Sequence, residues 1–245
     1  MTGGALRIGA AIVRRLAQDR RPVIIHYRQS SAAAQALCTE IVDAGGQAWT
    51  LGADLSDEPQ LSGLMGRALA MAPDLGLLIN SASNFQPDSP ARPDADQWRL
   101  AMAVNALAPA RLAADLHART DGGVVVNLLD QKLANPNPDY FSYTASKAAL
   151  AEATRMQAMA FAPRTRLIAI APGLTLPSGD QTLEEHAAAA TLNLLARATS
   201  AEDLAEAVAF AATGAIATGE TLYVDSGQHL VPQARDVMFL VRGEV

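Results

Sequence analysis

Short apolar runs alternate along the chain with longer segments whose apolar positions recur every three or four residues. The short runs are "PVIIHYR", "QAWTLGADL", "LGLLINSAS", "GGVVVNLLD", "RLIAIAPG" and "ETLYVDSG". Most are apolar at successive positions, which predicts strands covered on both faces. Between them, "SSAAAQALCTEIVDAGG" predicts a helix ending at Gly45 or Gly46, where glycine accepts left-handed backbone. "EPQLSGLMGRALAMAP" predicts a helix stopped before Pro73. "DADQWRLAMAVNALAPARLAADLHART" predicts a long helix bent near Pro109, and "SYTASKAALAEATRMQAMAFAP" a second long helix. Strands alternating with helices predict an α/β fold with a doubly wound parallel sheet. No linker, repeat or low-complexity tract interrupts the pattern, so residues 1–245 read as one domain.

Composition narrows the functional classes. Half of the 245 residues are hydrophobic and 18% are charged, which suits a packed core. A formal charge of −6 argues against a general nucleic-acid binder, which needs a basic face. No apolar run approaches a membrane span, and no charged-then-apolar leader is read, so the expected compartment is the cytoplasm. The single cysteine, Cys38, rules out an internal disulfide and falls in a helical pattern that assigns it a packing role. The four histidines lack metal-ligand spacing, and no metal is expected.

In a doubly wound sheet, ligands bind beyond the carboxyl ends of the strands. Those positions hold Thr2–Gly9, His26–Ser30, Asp54, Asn80–Phe85, Asp130 and Pro172–Thr175. In "TGGALRIG", Gly3 and Gly4 allow close approach of backbone to a pyrophosphate, and a helix starting near Ile8 points its positive end at it. An acidic residue after the first apolar run would accept the ribose 2′-hydroxyl of NAD; "HYRQS" has none. Arg28, helped by Ser30, is instead placed for a 2′-phosphate, which favours NADP(H). Asp54 is placed for the adenine edge, while Ser56 or Asp57 offers a helix cap.

The stretch "NLLDQKLANPNPDYFSYTASKAAL" carries the chemistry. Tyr143 and Lys147 are four residues apart on a helix and share a face, so an ammonium sits near a phenol that could donate a proton. Asp130 ends a buried strand thirteen residues before the tyrosine; its alternative role is a turn cap. With the Gly turn, "NSAS", Asn105 in "AVNALAP", "APG" and "YVDSGQHL", the chain resembles the short-chain dehydrogenase/reductases over nearly its whole length.

The resemblance implies a Rossmann-type fold, Tyr143 as general acid, Lys147 binding the nicotinamide ribose and lowering the tyrosine pKa, and Asn105 holding a water in a proton relay. It extends the implied cofactor contacts to Gly3, Arg7, Ile8, His26, Tyr27, Arg28, Ser30, Asp54 and Leu55, then Asn80, Ser81, Ala82, Tyr143, Lys147, Pro172, Gly173 and Leu174. Two departures narrow it. Asp130 stands where most members carry Ser, and Arg7 where most carry Gly; both occur together in pteridine reductases and dihydromonapterin reductases. That similarity implies a pterin-like planar substrate bound by Arg7, Ser83, Phe85, Asp130 and Tyr143, with Phe85 stacked on the ring. It also implies a homotetramer. A carbonyl reductase of 3-oxoacyl or sugar type and a non-catalytic NADP-binding protein are the alternatives. In the family a central strand precedes the Gly turn, whereas only Met1 does here. The expectation is therefore a sheet lacking most of its first strand, in a protein whose natural start lies several residues earlier.

Overall fold

The computed structural model describes residues 1–214 and 216–243. Every predicted strand is present, and all pair in parallel. β1 (Val23–Tyr27) pairs with β2 (Ala48–Gly52), aligning Ile25 with Thr50. A second sheet runs β3 (Leu77–Asn80), β4 (Gly123–Leu128), β5 (Thr165–Pro172), β6 (Thr221–Val224), aligning Ile79 with Val126 and Val126 with Ile168.

Residues 1–4 lie between β1 and β3 and bond to both. The His26 N–H donates to the Met1 carbonyl (3.0 Å), the Thr2 N–H to the Ile79 carbonyl (2.9 Å), and the Gly4 N–H to the His26 carbonyl (3.0 Å). Thr2 forms a single parallel bridge, with Asn80. These contacts tie the two sheets at their carboxyl ends, where the Gly turn begins.

Helices cover both faces. α1 (Arg7–Gln18), α2 (Ser31–Asp43) and α8 (Ala201–Ala212) bury Ile12, Val13, Leu37, Leu204 and Val208 against Ile25, Ile79 and Ile168. α3 (Glu58–Met71) and α5 (Ala108–Arg119) close the other face, with Leu61, Leu64, Leu112 and Leu116 against Leu78, Val125 and Leu167. α6 (Phe141–Phe161) runs beside β4 and β5 and sends Leu150 into a small cluster with Leu129 and Ala169. Cys38 packs in the first core, its thiol donating to the Ala48 carbonyl at 3.2 Å. The predicted long helix is broken before Pro109. α4 (Ala95–Ala101) passes into a π-helical turn over Met102–Leu107 before α5 resumes the regular winding. α7 (Leu183–Ala190) and α9 (Val237–Val241) pack together beside the carboxyl ends of the strands.

Helix starts divide into two kinds. Asp57, Asp94, Thr182, Ser200 and Asp236 cap α3, α4, α7, α8 and α9 with side-chain acceptors, and Asp88 reaches over to accept from Ser142 at the start of α6. α1 and α2 have neither a side-chain cap nor an acidic residue in the first turn. Their leading N–H groups are left for something else to accept from.

Candidate active site

The two uncapped helices open onto one groove. Its cavity, of about 520 Å³, is lined by Gly3, Arg7 and Ile8, by His26–Ser30 at the end of β1 and after it, by Asp54 and Leu55 beyond β2, and by Ser81 and Ala82 beyond β3. Gly3 has φ +61°, and a Cβ there would come within 2.9 Å of the Ala82 backbone, so the turn needs glycine. Thr2 Oγ1 stitches it to β3 by accepting from the N–H groups of Ser81 (3.1 Å) and Ala82 (3.2 Å). His26 is buried beneath the turn: its Nδ1 accepts from the Gly3 N–H (3.2 Å), which leaves Nε2 to donate to the Ala53 carbonyl (3.1 Å). That tautomer is neutral. Burial pulls the imidazole pKa down to about 4.

Arg28 is exposed at the groove, beside Ser30, the uncapped start of α2. It makes no ion pair among the described residues, so its fork is available to a phosphate. Asp54 lines the groove too, but one of its oxygens is already used by the Ser56 N–H (2.8 Å) and hydroxyl (2.6 Å). The α3 cap is Asp57.

A second cavity, of about 530 Å³, adjoins the first along Arg7, Ile8, Ser81, Ser83 and Phe85. Its floor is Asp130, Tyr143 and Lys147, and Pro172, Gly173 and Leu174 form one side. The Tyr143 hydroxyl donates to Asp130 Oδ2 at 2.8 Å, while Asp130 Oδ1 accepts from the Lys132 N–H at 2.8 Å. Asp130 therefore serves both roles read for it: it caps the short 3₁₀ turn over Gln131–Leu133 and engages the tyrosine. Burial raises the Asp130 carboxyl above its usual range.

The expected lowering of the Tyr143 pKa is corrected. Burial and the Asp130 carboxylate push the phenol well above its ordinary value. The Lys147 ammonium is turned to the Leu128 carbonyl (2.6 Å), 5.8 Å from the phenol ring centre, and burial lowers its own pKa to about 8.

Two further expectations change. Asn80 does not present its side chain to the groove. It is buried and donates to Asn127 Oδ1 (2.8 Å), which continues to Thr154 (2.8 Å) in a brace between β3, β4 and α6. The Asn105 amide is not open to a relay water either. Its oxygen accepts from Ser83 Oγ (3.2 Å) and the Asn84 N–H (2.7 Å), and its nitrogen donates to the Asn84 carbonyl (2.8 Å) and Ser146 Oγ (2.9 Å). The amide clamps the loop that carries Phe85. Phe85 is 36% exposed, lies edge-on to Tyr143 (4.7 Å between centroids) and stacks on Tyr140 (4.2 Å).

Arg7 begins α1 at φ +54°, where glycine would be relaxed, a cost of about 1 kcal/mol. Its guanidinium donates to the Pro177 carbonyl (2.7 Å), which joins the Gly turn to the loop that lines the second cavity.

The cavity also contains Lys132, Tyr140, Asp236 and Met238, which the sequence reading did not single out. Lys132 lies only two residues past Asp130 in a loop with no periodic pattern. Asp236 and Met238 come from the far end of the chain. Among the described residues no cluster of metal-binding side chains occurs, and no helix is long and apolar enough to cross a membrane.

The sequence model of the enoyl-(acyl carrier protein) reductase family matches residues 4–229. Dihydromonapterin reductase of Citrobacter koseri is 29% identical over 238 residues, 94% of this chain and 95% of that one. 3beta-hydroxysteroid dehydrogenase 1 of Eggerthella lenta is 30% identical over 243 residues, 95% of this chain and 93% of that one. The crystal structure of FolM alternative dihydrofolate reductase 1 from Brucella suis, in complex with NADP, superposes with a TM-score of 0.91 at 39% identity and covers 96% of each chain.

Proposed function

The chain belongs to the short-chain dehydrogenase/reductase family, and from that membership we propose that it is an NADPH-dependent reductase of a dihydropterin. The observation that carries this reading is the Asp130–Tyr143 hydrogen bond on the floor of a cavity walled by Phe85.

The donor set fits NADP(H). The glycine cradle leaves room for a pyrophosphate, the uncapped start of α1 offers N–H groups to it, and Arg28 with the uncapped start of α2 suits the 2′-phosphate. Bound there, the cofactor supplies a hydride. Lys147, which lines the same cavity, would hold the ribose. Phe85 offers its face to a planar ring. Tyr143 delivers a proton to the ring nitrogen of the carbon–nitrogen double bond as the carbon is reduced. Asp130, raised by burial, holds the phenol in line and is the group from which the proton is replaced.

A carbonyl reductase is the second reading, favoured by the identity to the hydroxysteroid dehydrogenase. Exposed apolar side chains support a homotetramer: Leu107, Met156 and Met159 on one side, Phe210 and Tyr223 on another. The cytoplasm is the proposed compartment.

The test is NADPH oxidation with dihydromonapterin, dihydrofolate and a panel of ketones. Reduction of a dihydropterin is expected, with Tyr143→Phe lowering turnover by about a hundredfold or more while NADPH affinity holds. Turnover of ketones alone would replace this reading with the second. Binding of NADPH without any turnover would leave a binding protein.

A further inference from the structure

One buried cation has no part in that mechanism. Lys132 is 5% exposed, yet its ammonium lies on the wall of the reaction cavity. It donates to the Asp139 carbonyl at 2.7 Å, lies 5.5 Å from the centre of the Tyr140 ring, and stands 3.6 Å from Asp236 Oδ2. A chain of rings places it. Outward from the proton donor, Phe85 meets Tyr143, Tyr140 stacks on Phe85, and Lys132 sits over Tyr140. The ion pair thus lines the same cavity as the proton donor and Phe85, within one ring contact of that wall.

We propose that Lys132 and Asp236 are specificity-determining residues that recognise a neutral, hydroxylated substituent on the pterin ring; this rests on the pterin reading above. A hydroxyl both donates and accepts. An ammonium can donate to its lone pairs while a carboxylate accepts its proton, so adjacent hydroxyls match a cation–anion pair. Asp236 Oδ1 is committed to capping α9 through the Met238 N–H (3.2 Å), which leaves Oδ2 as the atom facing Lys132.

The same pair disfavours an anionic substituent. Such a group would meet the Asp236 carboxylate, and the arginines nearest it in the chain already hold carboxylates, whereas Arg7 on the same cavity is bonded to backbone carbonyls. Arg235 grips both oxygens of Asp139 (2.9 and 3.1 Å), and Arg242 bonds Glu185 (2.8 Å) and Asp180 (3.1 Å).

The experiment compares kcat/KM with NADPH for dihydromonapterin, 6-methyl-7,8-dihydropterin and dihydrofolate. The parent protein is expected to prefer the hydroxylated substrate over the methyl one by about tenfold or more, the yield of one good charge-assisted hydrogen bond. Lys132→Met and Asp236→Asn should each lower kcat/KM for the hydroxylated substrate about tenfold more than for the methyl one. Asn can still cap α9, so the second variant guards against misfolding in the first. Asp236→Asn should also raise dihydrofolate relative to both other substrates. Equal losses on all three substrates would mean a merely structural pair and overturn the proposal, as would a parent that prefers the methyl substrate or dihydrofolate. Reduction of the methyl pterin without discrimination refutes this inference alone. Failure to reduce any pterin removes the functional reading and this inference with it.

Discussion

Acid should loosen the glycine turn through His26. The imidazole is neutral in the fold because Nδ1 must accept from Gly3, and the ring is buried. Arg67 adds to the lowering of its pKa, while Asp54 and the Ala53 carbonyl oppose it. In the unfolded chain the ring takes a proton near pH 6.5; in the fold it does so only near pH 4. Between those values the unfolded state binds more protons, so stability rises with pH across this window. The contribution of the neutral ring is complete above pH 6.5 and lost as pH falls towards 4. At about 1.4 kcal/mol per tenfold, the gap corresponds to roughly 3 kcal/mol, a large part of the ~5–15 kcal/mol of a typical domain. Urea unfolding of the parent and of His26→Gln between pH 4 and 7.5 isolates this term from the carboxylates, which titrate in both. The advantage of the parent over the variant should shrink by about 3 kcal/mol across the window, and NADPH affinity should fall in parallel as Gly3 loses its acceptor. Parallel stability curves for the two proteins, or an imidazole that titrates near pH 6.5 in the folded protein by NMR, would refute the argument.

Arg28→Ala should shrink a preference for NADPH over NADH of about ten- to a hundredfold to near parity, read from the ratio of kcat/KM values; equal use of both cofactors by the parent would contradict the phosphate role. Fractionation of producing cells followed by sedimentation equilibrium at micromolar concentration should find a cytoplasmic tetramer. A monomer, or recovery outside the cytoplasm, would overturn the assembly or the compartment.

The strand pattern was legible because parallel strands buried on both faces read as unbroken apolar runs, and "GGVVVNLLD" became β4 almost as written. The Tyr143–Lys147 pair was legible because helical spacing puts the two on one face. Its electrostatics were not. Spacing reports proximity of backbones, whereas the Lys147 ammonium turns to a carbonyl of β4 and the phenol answers to Asp130. Asn105 could be picked out, but not that its amide is saturated by a loop some twenty residues upstream. Lys132 and Asp236 meet only because α9 folds back over the cavity, a contact between segments about a hundred residues apart with no periodic signature. Arg7 is a middle case: the departure from Gly was visible, and the left-handed backbone that glycine would have relieved emerged only in three dimensions.

The division of the sheet gives the dinucleotide a second task. The groove suited to its adenosine half is lined by the ends of both sheets, and the cavity suited to its reacting half by the four-stranded one. The two cavities adjoin along Arg7, Ile8, Ser81, Ser83 and Phe85, so a ligand lying across both would tie the strand ends that line them. Such a ligand adds RT ln(1 + [L]/Kd) to the folded state, about 2.7 kcal/mol at a hundredfold excess over Kd. The resting concentration of cofactor in the cell thus becomes a variable of the fold as well as of the rate, and depletion of the nucleotide pool acts as a destabilising condition on the whole molecule.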